Sequence, residues 1–553
     1  MWAISSLRRW GLAVAVSVVV IPGIAAPAAG AGQGPGGRGV PVPRIDWRPC
    51  GPDFPGIQCA TVRVPLDYDA PRGAKAEIAL ARVRASGAAR RIGTVFVNPG
   101  GPGGSGVGLV LSGFGKFLHQ NLRGRFDVVG FDPRGVGASA PLHCFNSEDD
   151  LLEFLFATPL FPYQREHFRP FYGHWSSLAD QCLTRGERIA RHMSTADVVR
   201  DLDLLRRAVG DRKLTYLGFS YGSYIGNTYA NLFPRRVRAL AIDGVLNPRL
   251  WSSGEQIRSD RVATKEVFDE FLRLCRRAGR RNCAFSAGKR TGERWQALAR
   301  SIKREPVDLG GGFIYTYDFL VGDAAGAMYA PEVWGGRDGY GAFLDLVADA
   351  ALGDQSAARR ARALRRELLE RLGARPEADY DNGLDAYYGN QCADTQYPDT
   401  FAEFRAIGEF AGASSRFGPY WWWFNNGCAE WPVAPDRYIG PWTARTSAPV
   451  LVVGNFFDPA TDHAGARASD RLLRNSRLLS YAGWGHTAYG RSACATELMD
   501  AYLLRRSLPT VGKVCPANPN PFLAVGAATR AAPTAPLVGS PPAWLLRPER
   551  TSA

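Results

Sequence analysis

Ser220 is the residue whose surroundings most clearly indicate chemistry. It lies in the pentapeptide G-F-S-Y-G at 218–222, between an apolar run at 214–217 and a helix-like stretch that starts near Ser223. A serine hydroxyl is a poor nucleophile at neutral pH, so a strained strand-to-helix turn must hold it within reach of a base, and flanking glycines leave room for that turn. The pentapeptide also arises by chance in glycine-rich chains, so this interpretation depends on finding partners for Ser220.

An acid and a base follow in the last third of the chain. Asp458 comes after the apolar run 450–454, and His486 likewise follows the run 478–481. The carboxyl ends of parallel strands meet at one edge of a sheet, where Ser220 would also lie. The order serine, aspartate, histidine is that of α/β-hydrolases. We therefore predict that Ser220 is the nucleophile, His486 its base and Asp458 the acid that orients the base.

Two of these assignments have competing interpretations. His463 is the nearest alternative base, but it falls inside a predicted helix rather than after a strand. Asp458 would also suit the cap of a helix that begins with Pro459, and this role is compatible with orienting a histidine. The sequence therefore favours His486 and Asp458.

A glycine-rich loop, N-P-G-G-P-G-G-S-G at 98–106, follows a predicted strand and would suit stabilisation of the oxyanion formed in acyl transfer. One donor should be the backbone N–H of Tyr221, the residue after the nucleophile. The second should come from the loop, where Gly101 is the first candidate and Gly100 the next. Pro102 has no N–H to donate. Such a site needs neither a metal nor a cofactor.

The same loop matches the dinucleotide-binding pattern G-x-G-x-x-G at 101–106. Asp132 ends the following strand, roughly where an acid that binds ribose would lie. However, Pro99 and Pro102 remove N–H groups and stiffen the turn that would cradle a pyrophosphate. Nucleotide binding is therefore the less favoured alternative.

Eight apolar and β-branched runs predict the strands that would position these residues. They lie at 59–66, 76–83, 92–98, 126–131, 214–217, 237–242, 449–454 and 477–481. Helical patterns separate most of the later runs, which indicates a mostly parallel sheet with helices on both faces. We predict the α/β class, and within it an α/β-hydrolase fold with an eight-stranded sheet.

A helix-rich stretch between the sixth and seventh strands predicts a large inserted helical cap. An aromatic cluster within it, Y-W-W-W-F at 420–424, would belong to the core of the cap or line a substrate cleft. The predicted boundaries are a signal peptide at 1–31, a linker at 32–44, the hydrolase core at 45–246, the cap at 247–445, the rest of the core at 446–515 and a Pro/Ala-rich tail at 516–553. We expect the tail to be irregular or disordered.

The N-terminus indicates export. Arg8 and Arg9 precede an apolar stretch at 10–24 and small residues with cleavage options up to Ala31. This pattern is typical of a secretory signal, and the apolar stretch is too short for a membrane span. We predict a secreted or extracytoplasmic protein with no membrane span after cleavage, and leave association with the cell wall open.

The cysteines also fit export, because an oxidising compartment lets disulfides persist. The chain has ten cysteines, an even number. Their spacing suggests that neighbours pair: Cys50 with Cys59, Cys144 with Cys182, Cys275 with Cys283, Cys392 with Cys428, and Cys494 with Cys515. This connectivity is a hypothesis.

The chain carries a formal net charge of +15, which becomes 15 − 2 = +13 once the signal with its two arginines is removed. Such a charge is compatible with a polyanionic partner, or with a non-catalytic protein that binds a surface. The arginines are scattered through helical stretches, and no nucleic-acid-binding motif accompanies them. We therefore predict a solvated basic surface and no nucleic-acid partner.

Five motifs, in order, resemble those of a known family. The loop at 98–106, D-P-R-G-V-G-A-S at 132–139, G-F-S-Y-G at 218–222, D-P-A-T at 458–461 and G-H at 485–486 look like the secreted tripeptidyl aminopeptidases of actinobacteria. Those enzymes are α/β-hydrolases related to prolyl aminopeptidases. The similarity spans about 45–515. It departs from the prolyl aminopeptidase pattern by having Asn-Pro where a histidine would precede the glycines.

The resemblance implies an exopeptidase that removes short peptides, tripeptides by analogy, from peptide or protein substrates with free N-termini. Such an enzyme needs a carboxylate to hold the ammonium group of the substrate. Asp394 and Glu430 are candidates because a neighbouring disulfide, at Cys392 or Cys428, would anchor each of them, although either would also serve as a solvated or structurally paired acid. Thr461 would support Asp458 through a hydrogen bond or cap the helix that follows. The same machinery would suit a carboxylesterase or another acyl hydrolase, which is the alternative function.

Overall fold

The structure, a computed structural model, describes residues 40–87, 90–373 and 380–523. The predicted signal peptide, residues 32–39 of the predicted linker and the tail beyond 523 lie outside these ranges. Within the described ranges, no helix combines the length and the apolar character needed to cross a bilayer.

Ten strands form one large sheet, and two short ones form a separate hairpin. The strands are β1 (Arg48–Pro49), β2 (Ile57–Pro65), β3 (Lys75–Val83), β4 (Gly93–Asn98), β5 (Phe126–Phe131), β6 (Leu214–Phe219), β7 (Val237–Asp243), β8 (Val307–Asp308), β9 (Ile314–Tyr315), β10 (Val450–Phe457), β11 (Ser476–Trp484) and β12 (Val514–Cys515). The order in the large sheet is β1-β2-β3-β5-β4-β6-β7-β10-β11-β12. The seven strands from β5 to β12 in this order run parallel, and β1, β2 and β3 add an antiparallel edge.

The predicted mostly parallel sheet is confirmed, but the predicted number of strands is too low. All eight predicted strands are present, and β1 and β12 extend the two edges of the sheet. Each of these two strands has only two residues, which is too short to produce a recognisable alternation of apolar and polar residues.

Helices cover both faces of this sheet and build the cap. They are α1 (Gly106–Leu109), α2 (Gly115–Asn121), α3 (Glu148–Phe156), α4 (Phe168–Ala190), α5 (Thr195–Ala208), α6 (Tyr221–Leu232), α7 (Pro248–Ser252), α8 (Ile257–Ala278), α9 (Thr291–Arg304), α10 (Tyr317–Met328), α11 (Tyr340–Ala350), α12 (Gln355–Arg371), α13 (Gly383–Asp394), α14 (Phe401–Ser414), α15 (Phe417–Phe424), α16 (His463–Leu472) and α17 (Ala493–Arg505). Helices α5, α6 and α16 bury apolar residues against one face of the sheet, and α2 and α17 against the other.

The cap contains more of the chain than the predicted boundaries indicate. Helices α3 and α4, which precede β6, share one hydrophobic core with the helices inserted after β7. Phe171 of α4 meets the ring of Trp423, and Trp175 meets that of Phe424. The amphipathic pattern of α4 shows that one face of the helix is buried, but it does not show which part of the protein covers that face. The boundaries predicted from the sequence therefore placed α3 and α4 in the hydrolase core.

The aromatic cluster at 420–424 contributes mainly to this cap core. Trp422 and Trp423 are fully buried, whereas Trp421 keeps part of its surface exposed. The indole N–H of Trp421 donates to the hydroxyl of Thr264, 2.7 Å away.

Five disulfides connect the neighbouring cysteine pairs that the spacing suggested, so this hypothesis is confirmed. The start of the predicted tail is irregular, as expected, but it is packed. After the Cys494–Cys515 disulfide, residues 516–523 continue to the cap, where Phe522 is 1% exposed and its ring packs at a tilt beside that of Phe271.

Candidate active site

Ser220 occupies a sharp turn between the end of β6 and the start of α6. Its backbone has φ 54° and ψ −123°, a strained conformation for a residue other than glycine. The turn is held by its own amide, which donates to the carbonyl of Asp243 at 3.0 Å. A Cβ atom on Gly218 would lie 2.4 Å from the carbonyl oxygen of Gly222, so this pair of glycines lets the turn close. The side chain of Ser220 is only partly buried, beneath the cap.

His486 and Asp458 form a buried pair in the loops after β11 and β10. The Nδ1 atom of His486 lies 2.9 Å from Oδ1 and 3.0 Å from Oδ2 of Asp458. Three backbone N–H groups, those of Ala460, Thr461 and Thr487, also donate to this carboxylate. These bonds fix the carboxylate, which can therefore hold the imidazole in one orientation and stabilise its protonated form.

Asp243, at the end of β7, joins the serine turn to the histidine loop. Its carbonyl accepts from Ser220, and its carboxylate accepts the N–H groups of Ala488 and Tyr489 at 2.9 and 2.8 Å. Burial raises the pKa of Asp243 to about 6, against the effect of these two amides. No hydrogen bond between Ser220 and His486 is present in the part of the chain that the structure describes. Catalytic hydrogen bonds are often long in the absence of substrate. The hydrogen bonds of Asp243 nevertheless hold the serine turn and the histidine loop next to each other.

The glycine-rich loop lies directly against the serine turn. A Cβ atom on Gly100 would lie 2.4 Å from the carbonyl oxygen of Phe219 and 2.9 Å from the amide nitrogen of Tyr221. The N–H of Gly100 donates to Asn98 Oδ1, whereas those of Gly101 and Tyr221 have no partner among the described residues. Two free amides beside the nucleophile favour Gly101 over Gly100 as the second oxyanion donor.

Asp132, the acid of the nucleotide-binding alternative, is engaged in holding this loop. Its carboxylate accepts the hydroxyl of Ser105 at 2.6 Å and the amides of Val107 and Ala138. Burial raises the pKa of Asp132, while these hydrogen bonds lower it. The carboxylate therefore organises the loops beneath the site.

Thr461 contacts both members of the buried pair. Its amide donates to Asp458 Oδ1 at 2.9 Å, and its hydroxyl lies 3.4 Å from Nδ1 of His486. The competing base, His463, begins α16 and pairs with the hydroxyl of Ser480. It does not contact Asp458 in the described structure.

Asp394 and Glu430, predicted to bind the substrate ammonium group, lie in unsuitable surroundings. Asp394 is 1% exposed, and its two oxygens accept the amide and the hydroxyl of Thr195. This pairing attaches α13 to the start of α5, and burial raises the pKa of Asp394 to about 7. Glu430 is exposed, and its charge acts on Tyr172 of α4.

Asp260, in the first turn of α8, is, like Asp243, an acid near the site that the sequence did not single out. One turn further along α8, the hydroxyl of Thr264 donates to the carbonyl of Pro459 at 2.7 Å, next to Asp458. Nothing in the sequence distinguishes Asp260 from the other acids of the helical cap, because only the packing of α8 brings it here.

Comparisons with known proteins identify the family to which the chain belongs. Residues 93–282 match a family model described as alpha/beta hydrolase fold, and residues 413–515 match one described as TAP-like protein. The chain is 31% identical to Serine protease Hip1 of Mycobacterium tuberculosis over 92% of this chain and 97% of that protein. It is 31% identical to Tripeptidyl aminopeptidase of Streptomyces lividans over 83% and 84% of the two chains. It is 28% identical to Carboxylesterase B of Mycobacterium tuberculosis over 92% and 98%.

Proposed function

Since the chain belongs to the α/β-hydrolase family, with the TAP-like tripeptidyl aminopeptidases among its relatives, we propose that it is a secreted serine exopeptidase that releases tripeptides from free N-termini. The observation that carries this proposal is the buried pair of His486 and Asp458 at the sheet edge where Ser220 stands in its strained turn. The resemblance to a named tripeptidyl aminopeptidase supplies the substrate class.

In this proposal each residue has one role. Ser220 attacks the scissile carbonyl while His486 takes its proton through Nε2, and Asp458 stabilises the resulting imidazolium. The amides of Tyr221 and Gly101 donate to the oxyanion. His486 then protonates the leaving amine, and water releases the peptide from the acyl-enzyme by the reverse sequence of proton transfers.

Two observations support secretion: the predicted signal at 1–31 and the five disulfides, since disulfides persist in oxidising compartments. N-terminal sequencing of protein from the culture medium tests it. We expect a new N-terminus at or shortly before residue 32, whereas protein retained in the cytoplasm with Met1 intact would contradict export.

A second candidate function is ester hydrolysis, favoured by the similarity to a relative named Carboxylesterase B. A serine triad determines the type of reaction but not the leaving group. The panel that separates the two functions contains a tripeptidyl anilide with a free amine, its N-acetylated form and a simple aryl ester. We expect the free-amine anilide to have the highest kcat/KM. A preference for the acetylated anilide or the ester would contradict the aminopeptidase proposal.

A further inference from the structure

Asp260 is a carboxylate that lines the interior of the protein and still meets solvent. Protein surrounds it, yet part of the surface of the residue stays exposed to solvent. Its Oδ1 atom accepts from Nε2 of Gln256 at 2.8 Å, and Oδ2 accepts no hydrogen bond from the described residues.

No lysine, arginine or histidine of the described chain pairs with Asp260. Burial raises its pKa well above the ordinary value, the hydrogen bond from Gln256 lowers it, and the like charge of Asp462 raises it further. Other buried acids of this protein either have a cationic partner, as Asp201 has Arg134, or accept at least two hydrogen bonds, as Asp394 does from Thr195. A buried carboxylate without a partner is unfavourable in free energy when it is ionised, and a cation that binds next to it removes this penalty. Asp260 is therefore suited to a positively charged ligand.

The position of Asp260 connects it to the catalytic loops. It lies four residues before Thr264, which bonds to the loop that holds Asp458, and residues at this spacing on a helix are about 5–6 Å apart. The ring of Tyr329 lies edge-on to His486, with centroids 5.1 Å apart, and the charges of both Asp458 and Asp260 act on its hydroxyl. A tripeptide spans about 10 Å when extended, and this is the separation between Ser220 and Asp260 that binding of both its ends would require.

The charge of Asp260 acts on three tyrosines of the cap. Burial is the main cause of the raised pKa of Tyr329, Tyr387 and Tyr397, and the charge of Asp260 contributes to each. They come from three different parts of the cap: the end of α10, α13 and the segment after α13. Tyrosine faces attract cations, and they favour an ammonium group over an anion or water.

We propose that Asp260 binds the α-ammonium group of the substrate, in a region of the cap to which Tyr329, Tyr387 and Tyr397 also belong. The cap would then recognise the end of a peptide chain through one charge, and the distance from that charge to Ser220 would decide how many residues are released. This assignment rests on the proposed aminopeptidase function, and it gives the ammonium group a partner that neither Asp394 nor Glu430 supplies.

The test compares Asp260→Asn with Asp269→Asn, which changes an exposed aspartate on the same helix. Each variant is assayed with the free-amine tripeptidyl anilide, the N-acetylated anilide and an aryl ester. Since a hydrogen bond between charged groups is strong, we expect Asp260→Asn to lower kcat/KM for the free-amine anilide by about 10–100-fold, mainly through KM. The acetylated anilide and the ester should change less than about threefold. Asp269→Asn should match the wild type.

A second variant and a binding measurement make the test independent of turnover of the anilide. Asp260→Glu keeps the charge and should retain most of the preference for the free amine. A free tripeptide should inhibit ester hydrolysis by the wild type and do so at least about tenfold more weakly in Asp260→Asn.

The outcomes separate the two proposals. A wild type without preference for the free amine would contradict the proposed function itself. A wild type with this preference, and an Asp260→Asn variant that keeps it, would overturn the role of Asp260 alone. If both Asp260 variants lost kcat/KM equally on all three substrates, Asp260 would serve only to maintain the structure of the site. That result would also overturn the proposal.

Discussion

At the scale of single residues, the site is determined by hydrogen bonds that fix charged and polar groups before substrate binds. Asp458 accepts three backbone amides in addition to His486, and two amides beside Ser220 remain free. Such preorganisation is the main source of transition-state stabilisation in enzymes of this type. Small changes at these positions should therefore reduce kcat more than they raise KM.

Thr461 offers a test at this scale. Its hydroxyl lies 3.4 Å from Nδ1 of His486, while its amide holds Asp458 and would survive substitution. We expect Thr461→Val to lower kcat by about 3–10-fold with little change in KM, as for the loss of one weak hydrogen bond to a catalytic group. Thr461→Ser, the matched control, should retain activity. Steady-state kinetics with the tripeptidyl anilide measure this, and an unchanged kcat in Thr461→Val would contradict the role.

Ser220, Asp458 and His486 were accessible to prediction because each follows a strand pattern and their order is diagnostic. The positions of Asp243 and Asp260 at the site could not be predicted from the sequence. The role of Asp243 comes from amides 245 and 246 residues away in sequence, and that of Asp260 from the packing of one helix on a distant loop. Contacts of this kind leave no local pattern in one sequence.

At the scale of elements, buried acids attach the parts of the cap to each other and to the core. Asp394 of α13 holds the first residue of α5, and Asp385, on the same helix, holds the loop before α3 by accepting the amide of Cys144 at 3.1 Å. Asp385 also accepts a hydrogen bond from the hydroxyl of Tyr380. Helix α13 therefore joins the two cap segments that the sequence boundaries separated.

Asp385 makes this attachment dependent on pH. Burial raises its pKa from the ordinary 3.8 to about 7, although the bonds from Tyr380 and Cys144 lower it. The folded state thus binds the proton more tightly than the unfolded chain, so this contribution to stability is greatest below pH 4 and decreases until about pH 7. We expect the melting temperature of the wild type to fall relative to Asp385→Asn between pH 5 and 7, and the difference to level off above that.

Thermal melts of both proteins from pH 5 to 8 measure this difference. Asp53→Asn, at an exposed position, is the control and should melt in parallel with the wild type. Parallel curves for Asp385→Asn and the wild type would show that Asp385 does not titrate in this range.

At the scale of the whole molecule, the cap and the hydrolase core are connected by more than the chain crossings at the ends of the two cap segments. Beyond β12, Asn518 donates to the carbonyl of Arg491 in the core, and the chain then reaches the cap, where Phe522 packs near Phe271. Composition predicted an irregular tail here, because prolines and alanines dominate it and a single aromatic residue does not form a pattern. The alternation of strands and helices in the sequence predicted the fold class. It did not predict that the chain packs against the cap again after β12.

Phe522 tests the contribution of this segment. Its side chain is 1% exposed, so Phe522→Ala should lower the free energy of unfolding by about 3–5 kcal/mol through the cavity it leaves. Leu523→Ala, which removes a neighbouring side chain that is 60% exposed, should change it by less than about 0.5 kcal/mol. Denaturant unfolding measures both, and equal stability of the two variants would contradict the packing role of Phe522.

The central claim is that Ser220 is the nucleophile of a serine peptidase. The most direct measurement is hydrolysis of the free-amine tripeptidyl anilide by the wild type, Ser220→Ala and the exposed control Ser112→Ala, together with labelling by a fluorophosphonate. We predict that Ser220→Ala loses turnover by about 10⁴-fold or more and takes up no label, whereas the control matches the wild type and is labelled once, on Ser220. Turnover that persists in Ser220→Ala, or a label on another serine of the wild type, would contradict the claim.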